Sequence, residues 1–268
     1  QRIDLKSPAR YIIRMSIRPL RAVLLTLTIA AIAAAGYTAY WFSAAAELRA
    51  GIATWTEQRR KAGWSVELGE PDIGGFPNRI EGLVQTPRLE GPAGRWRWTA
   101  PNIRAVAQPW SLGEISVFFP GIHVYATRKG DLWAEFDQAE AEILVGSSAI
   151  SDIVVRLATI NVRLPDGAPL LAKKLVARVR DSVVIDPAAD IPETGTSVAV
   201  DVRDILFPAR WQPPLGRVMA RLSVDAVVTG EATPDVTIAD TLTRWRDGGG
   251  AAEIKAFAVD WGALALRA

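Results

Sequence analysis

Few residues of this chain have the types and spacing that catalysis or metal binding requires. Its 268 residues include no cysteine and a single histidine, His123. This composition excludes thiolate zinc sites, iron–sulfur clusters, disulfide frameworks and cysteine nucleophiles. Histidine is also the commonest acid–base group and metal ligand, so little basis for an enzyme is left. We therefore predict no enzymatic activity, no cofactor and no metal site.

The other chemical candidates have a simple structural interpretation. His123 follows Gly121-Ile122 on a predicted strand, with no second histidine and no nearby aspartate pair. Four carboxylates follow one another at roughly two-residue spacing: Glu135, Asp137, Glu140 and Glu142. This spacing is typical of the solvent-exposed face of a strand. The sequence has no phosphate-binding loop, dinucleotide fingerprint or serine nucleophile elbow.

One loop combines turn residues with a cation, and it consists of Gly75, Phe76, Pro77, Asn78 and Arg79. One interpretation is a ligand or partner loop in which Arg79 offers a planar cation to phosphate or carboxylate. The other is a plain turn in which Gly and Pro set the backbone and Phe76 fills the core.

The charge distribution separates a basic arm from a mildly acidic remainder. Residues 1–21 carry six basic residues and one acidic residue, whereas the following 247 residues carry 25 basic and 28 acidic residues. A main domain of this charge is not expected to bind nucleic acid.

An uncharged segment, Ala22–Phe42, is long enough for a helix to cross a bilayer. Its last turn carries a predicted interface collar of Tyr37, Tyr40 and Trp41. Arg14, Arg18 and Arg21 precede it and are expected to set the topology, because basic flanks favour the cytoplasmic side. The alternatives are a cleaved signal peptide ending at Ser43-Ala44-Ala45-Ala46 and a buried soluble helix, but signal peptides have shorter apolar regions of about 7–15 residues.

The helix is predicted to continue beyond the membrane. Leu48, Ile52 and Trp55 follow i, i+4, i+7 spacing and form one apolar face, and Gly63 is a natural stop. We therefore divide the chain into a cytoplasmic arm (1–21), a transmembrane helix (22–42), a stalk helix (43–63) that packs on the outer domain, and a periplasmic antiparallel β domain (64–268).

After Trp64 the apolar period changes from 3.6 to 2, which indicates strands with one dry face. Turn signals at short intervals favour antiparallel neighbours. The predicted fold is mainly β: a curved antiparallel meander with one or two short helices, one of them starting at Thr233-Pro234-Asp235. The step from Leu157 to Ile160 breaks the alternation and predicts a bulge or tight turn. The residues predicted to line an apolar groove are Val198, Val200, Val202, Val218, Leu222, Val224 and Val228.

Several blocks together resemble a known bacterial family. Besides the anchor and the loop at residues 75–79, they are Pro213-Pro214-Leu215-Gly216, Thr229-Gly230, Trp245-Arg246-Asp247-Gly248-Gly249 and Val259-Asp260-Trp261-Gly262. The chain resembles the bacterial domain-of-unknown-function family 2125 from about residue 22 to residue 268. This resemblance implies a membrane-anchored envelope protein whose β architecture is similar to that of AsmA-like proteins, and it implies no activity. Family members usually continue past the Asp-Trp-Gly block, so we expect the native chain to be longer.

Two functions of different class fit these features. A sheet with many one-sided apolar strands and few helices has to cover its dry face, which predicts a non-enzymatic module binding an apolar or lipid ligand. The small residues Ala30-Ala31 and Ala33-Ala34-Ala35-Gly36 suit close helix packing and predict instead an accessory subunit of a larger inner-membrane complex. The expected partners are inner-membrane lipids and, for the second function, other integral membrane subunits.

Overall fold

A computed structural model describes residues 18–146, 150–184, 193–230 and 238–268. Arg14 of the predicted basic arm and the predicted helix start at Thr233-Pro234-Asp235 lie outside the described residues. The chain divides into two compact units, Gln1–Ser43 and Ala44–Ala268.

A single long helix, α1 (Arg18–Lys61), contains both the apolar segment and the predicted stalk. Within the described residues it is the one helix long and apolar enough to cross a membrane, and its most apolar stretch of 18 residues has a mean hydropathy of 1.9. The helix ends where Gly63 adopts φ +84° and its N–H donates to the Arg60 carbonyl at 3.0 Å. Glycine adopts this left-handed conformation without steric cost, which explains the stop at this position.

One antiparallel sheet accounts for nearly all of the second unit. Among the described residues its fifteen strands are β1 (Ser65–Glu67), β2 (Asp72–Gly74), β3 (Ile80–Gln85), β4 (Arg88–Glu90), β5 (Trp96–Thr99), β6 (Asn102–Gln108), β7 (Ser111–Phe118), β8 (Gly121–Thr127), β9 (Gly130–Val145), β10 (Ile150–Arg163), β11 (Pro169–Val184), β12 (Glu193–Leu206), β13 (Val218–Thr229), β14 (Ala251–Trp261) and β15 (Leu264–Arg267). A short helix, α2 (Ile238–Asp247), connects β13 to β14. The sheet is curved and not closed, and the predicted mainly antiparallel β fold with a long apolar N-terminal helix is confirmed.

The sheet divides into two arms at β9. One edge of this strand pairs with β10 over most of its length. On the other edge its first half pairs with β8 and its second half with β7. From β8 one arm continues through β5 and β4 to β1, whereas from β7 the other continues through β6 and β3 to β2. The chain crosses between the two arms several times, and its last crossing segment is Phe119-Pro120, between β7 and β8.

Beyond β9 the sheet is a simple meander of long strands. From β9 to β13 each strand has 12 to 16 residues and pairs with the next along the sequence. Short connections between such strands give antiparallel neighbours, as the turn signals predict.

A row of irregularities crosses these five strands at one height. In each strand the apolar positions step by three residues instead of two: Phe136 to Ala139, Leu157 to Ile160, Ala172 to Leu175, Val202 to Ile205 and Met219 to Leu222. Each step of three places one extra residue in its strand. Because all five neighbouring strands contain this extra residue at the same height, the pairing register between them is the same on both sides of the row. The next strand, β14, has no extra residue at this height, so the pairing of β13 with β14 shifts between Met219 and Arg221, and it shifts again between Asp225 and Ala226. The predicted break between Leu157 and Ile160 is one member of this row.

A compact core lies at one end of the long strands. Ile205, Met219 and Val259 are its buried members. Partly buried side chains packed against them are Leu170, Ala172, Val202, Phe207, Leu222, Phe257 and Trp261. The Trp261 indole N–H donates to the Gly216 carbonyl at 2.7 Å and thereby fixes the loop before β13 to β14.

Candidate apolar binding surface

The pairing register brings six of the seven predicted groove residues onto one face. Val200 lies opposite Ala177 on β11 and Val224 on β13, and Val202 lies opposite Leu222. Val198 and Val228 follow at two-residue spacing on the same face. Directly opposed residues of an antiparallel pair project to the same side, so aliphatic side chains form a continuous strip across β11–β13.

Val218 does not belong to this strip. The alternation from Leu222 places it on the apolar face, but the three-residue step between Met219 and Leu222 reverses the faces. Met219 is therefore buried in the core, whereas the Val218 side chain is 56% exposed. We correct the predicted groove accordingly.

The strip is half-exposed along most of its length. Val202 and Leu222 border the core, and Val198, Val200, Val224 and Val228 are only partly buried. Val179, which lies opposite Val198, is 38% exposed. These side chains retain contact with solvent, which is unfavourable for aliphatic surface.

The opposite face of the same strands is charged and internally paired. Asp201 lies between two arginines, at 2.8 Å from the Arg203 guanidinium and 2.7 Å from that of Arg221. Burial raises the pKa of Asp201, but hydrogen bonds from both arginines outweigh burial and leave this pKa below its ordinary value. Arg156 pairs with Glu142 at 2.9 Å and Arg178 with Asp152 at 3.2 Å. The long strands therefore have one face suited to water and one suited to an apolar partner.

The loop at residues 75–79 is a turn held by its own backbone. Gly75 has φ +99°, and a Cβ at this position would lie 2.8 Å from the Arg79 carbonyl oxygen. The Arg79 N–H donates to the Gly75 carbonyl at 3.1 Å, and its guanidinium pairs with Glu81 at 3.0 Å. Phe76 does not fill the core as expected, because its side chain is 49% exposed. Pro77 follows a cis peptide bond, and Asn78 completes the turn.

The predicted collar residues lie in the first unit. The rings of Tyr37 and Tyr40 are 6.5 Å apart, and the Tyr40 side chain is exposed. Trp41 is buried, with 4% of its surface exposed, so it does not present its ring as Tyr40 does. Arg18 begins α1, and Arg21 is exposed within it.

His123 lies in an aromatic cluster at the division of the sheet. Its ring is 5.8 Å from Trp98, 5.9 Å from Phe119 and 5.4 Å from Phe136. Its Nε2–H donates to the Phe119 carbonyl at 2.8 Å. Glu142 and Glu135, from the predicted carboxylate series, contact Arg156 and Asn161. Within the described residues no three His, Cys, Asp or Glu side chains come together as a metal site.

A family model described as an uncharacterised protein conserved in bacteria, DUF2125, matches residues 41–268. The chain belongs to the DUF2125 family. The match covers the end of the apolar helix and the whole β unit, so it includes both the loop at residues 75–79 and the strip on β11–β13. No curated protein and no solved structure matches the chain.

Two features of this DUF2125 protein escaped the sequence analysis. The aromatic setting of His123 depends on β5, β8 and β9 becoming neighbours, which no local pattern reveals. The surroundings of Leu48, Ile52 and Trp55 depend on both arms of the sheet. Their i, i+4, i+7 spacing predicted an apolar stripe that packs on the outer domain, but not which strands lie beside it.

Proposed function

We propose that this DUF2125 protein is a non-enzymatic, membrane-anchored module that binds a lipid acyl chain along the apolar strip of β11–β13. The observation that carries this proposal is the half-exposed strip itself, with Val200 at its centre between Ala177 and Val224. Removing apolar surface from water stabilises a complex by roughly 25 cal/mol per Å². An acyl chain laid along the strip would provide that burial without requiring polar contacts.

The apolar helix supplies the membrane connection in this proposal. A segment of this length and hydropathy matches the thickness of a bilayer core. The arginines before it favour a cytoplasmic N-terminus, which would place the β unit in the periplasm of a bacterial inner-membrane protein. A domain held at a bilayer has lipid acyl chains as its nearest abundant apolar ligands.

Lipid analysis of matched variants tests the strip. The full chain would be extracted in a mild detergent and purified, and its bound lipid quantified by mass spectrometry. Val200→Asp introduces a charge on the strip, whereas Ala199→Asp introduces the same charge on the opposite face, where Ala199 pairs with Arg178 and Asp225. We expect the first variant to lose most of the bound lipid and the second to retain it. Equal lipid in both variants, with unchanged melting temperatures, would contradict the proposal.

A second candidate is an accessory subunit of an inner-membrane complex. It is favoured by the small side chains at residues 30–36, all of which are exposed in the first unit. Small residues allow transmembrane helices to approach closely. The same extraction distinguishes the two functions: comigration with a defined complex supports the subunit, whereas lipid bound to the isolated chain supports the lipid-binding module.

A further inference from the structure

An apolar cavity lies between the two arms of the sheet, on the same face as the strip: Val117, which lines the cavity, lies opposite Ala141, and Ala141 is linked through Val155 to Ala177 of the strip. Its volume is about 450 Å³, within the range of roughly 300–1,000 Å³ typical of small-molecule sites. Leu48, Ile52 and Trp55 of α1 form one wall. The arm of β4 and β5 contributes Leu89 and Trp98, and the arm of β3, β6 and β7 contributes Val84 and its neighbours. We call this cavity the helix–arm slot.

The slot continues into a polar hollow. This second cavity, of about 530 Å³, shares Ile52 and Leu68 with the slot and is also lined by Arg49 and Glu70. Its other charged groups are engaged: Arg60 donates to the Val66 carbonyl at 2.7 Å, and Glu67 lies 3.4 Å from the Arg88 guanidinium. Within the described residues no carboxylate lies in ion-pair distance of Arg49. Arg49 and Glu70 both line the hollow without an ion-pair partner among the described residues, and Arg49 is the available cation beside the apolar slot.

We propose that the helix–arm slot binds one acyl chain of a membrane phospholipid and that Arg49 contacts the phosphate of its head group. The apolar slot and the adjoining cation match the two parts of such an amphiphile. A guanidinium recognises phosphate by paired, charge-assisted hydrogen bonds. The slot lies on the same face of the sheet as the strip but is lined by α1 and β3–β7 instead of β11–β13, so substitutions in each site distinguish this proposal from the proposed function of the strip.

Gly51 provides a way to fill the slot without disturbing its walls. It lies in α1 on the slot side, and a Cβ at this position meets no atom within 4 Å. Alanine or leucine here also favours the helix more than glycine does. Gly51→Leu should therefore occupy the slot, while Gly51→Ala leaves most of it empty and controls for the change in helix propensity.

The test uses the full chain in mixed micelles with a phosphatidylglycerol that carries a photoreactive diazirine near the end of one acyl chain. After irradiation, crosslinked peptides are mapped by mass spectrometry. We expect crosslinks around residues 48–55 and 84–98, at least fivefold weaker in Gly51→Leu and unchanged in Gly51→Ala. Crosslinks to β11–β13 should respond to Val200→Asp and not to Gly51→Leu, which separates the two sites.

Arg49→Gln tests the head-group contact. It should weaken the slot crosslinks of the phospholipid several-fold but leave those of a diazirine-labelled diacylglycerol, which has no phosphate, unchanged. Three results would overturn the phospholipid assignment. They are the absence of slot crosslinks, slot crosslinks that are equally strong in Gly51→Leu, and equally strong slot crosslinks from a diazirine-labelled free fatty acid. Equal loss with both lipids in Arg49→Gln would overturn the role of Arg49.

Discussion

His123 and Phe119 are joined across the point where the sheet divides. The His123 Nε2–H donates to the Phe119 carbonyl at 2.8 Å, and the Phe119 N–H donates in turn to Ala139 of β9 at 3.0 Å. These two bonds tie β8, the crossing segment and β9 together. A carbonyl can only accept, so the neutral imidazole must carry its proton on Nε2. The protonated ring can make the same bond, so it is burial that disfavours protonation of His123 at this junction.

The first prediction follows from this burial. His123 is 8% exposed; burial lowers its pKa, and the bond to Phe119 offsets only part of that effect. As the pH falls through the unfolded-state pKa of about 6.5, the unfolded chain binds a proton that the native state does not bind. The free energy of unfolding should therefore decrease as the pH is lowered from just above 6.5 to the native-state pKa of His123. Each unit of difference between the unfolded-state and native-state pKa values lowers the free energy of unfolding by about 1.4 kcal/mol at low pH.

His123→Gln is the matched control for this pH dependence. Glutamine keeps an N–H donor for the Phe119 carbonyl but does not titrate. Because the chain has a single histidine, denaturant midpoints between pH 7.5 and 5 should fall in the wild type and stay nearly constant in the variant. Parallel curves for both proteins would show that His123 is not the group responsible.

The row of three-residue steps gives the second prediction. Thr159 has φ +52° there, a conformation that is strained for a β-branched residue. Thr159→Gly should raise the free energy of unfolding by about 1 kcal/mol, because glycine adopts positive φ freely. Thr196→Gly, in a regular part of β12, should lower it by about 1 kcal/mol. Thermal unfolding of the two variants measures the difference, and destabilisation of both would argue against strain at Thr159.

The third prediction compares the core with the strip. Met219 is buried, so Met219→Ala should cost about 2–5 kcal/mol through lost burial and a residual cavity. Val224 is only partly buried, so Val224→Ala should cost about 1 kcal/mol or less, given roughly 0.8 kcal/mol per buried CH₂ group. Urea unfolding gives both values. A loss above about 2 kcal/mol for Val224→Ala would mean that the strip is covered in the unliganded protein.

Local features of this fold could be predicted from the amino-acid sequence, whereas features set by strand pairing could not. Alternation alone identified β13 and the faces of β12, because a half-buried strand requires it. It failed at Val218, since the step at Met219 depends on four neighbouring strands taking the same extra residue. The steps from Phe136 to Ala139 and from Ala172 to Leu175 lie among charged or small residues without a turn signal. The division at β9 was also unpredictable, because two strands share one partner edge only after the chain has folded.

The last prediction concerns the topology assigned to the N-terminal helix. If Arg14, Arg18 and Arg21 hold the N-terminus in the cytoplasm, a periplasm-dependent reporter such as alkaline phosphatase, fused at the C-terminus, should be active in intact cells. Replacing the three arginines with glutamate should reduce that activity and increase the activity of a cytoplasmic reporter, because the positive flank is then lost. Substituting lysine retains the charge and should preserve the wild-type pattern. An active cytoplasmic reporter on the wild-type chain would reverse the assigned orientation, and a mature N-terminus near Ala45 would show a cleaved signal in place of an anchor.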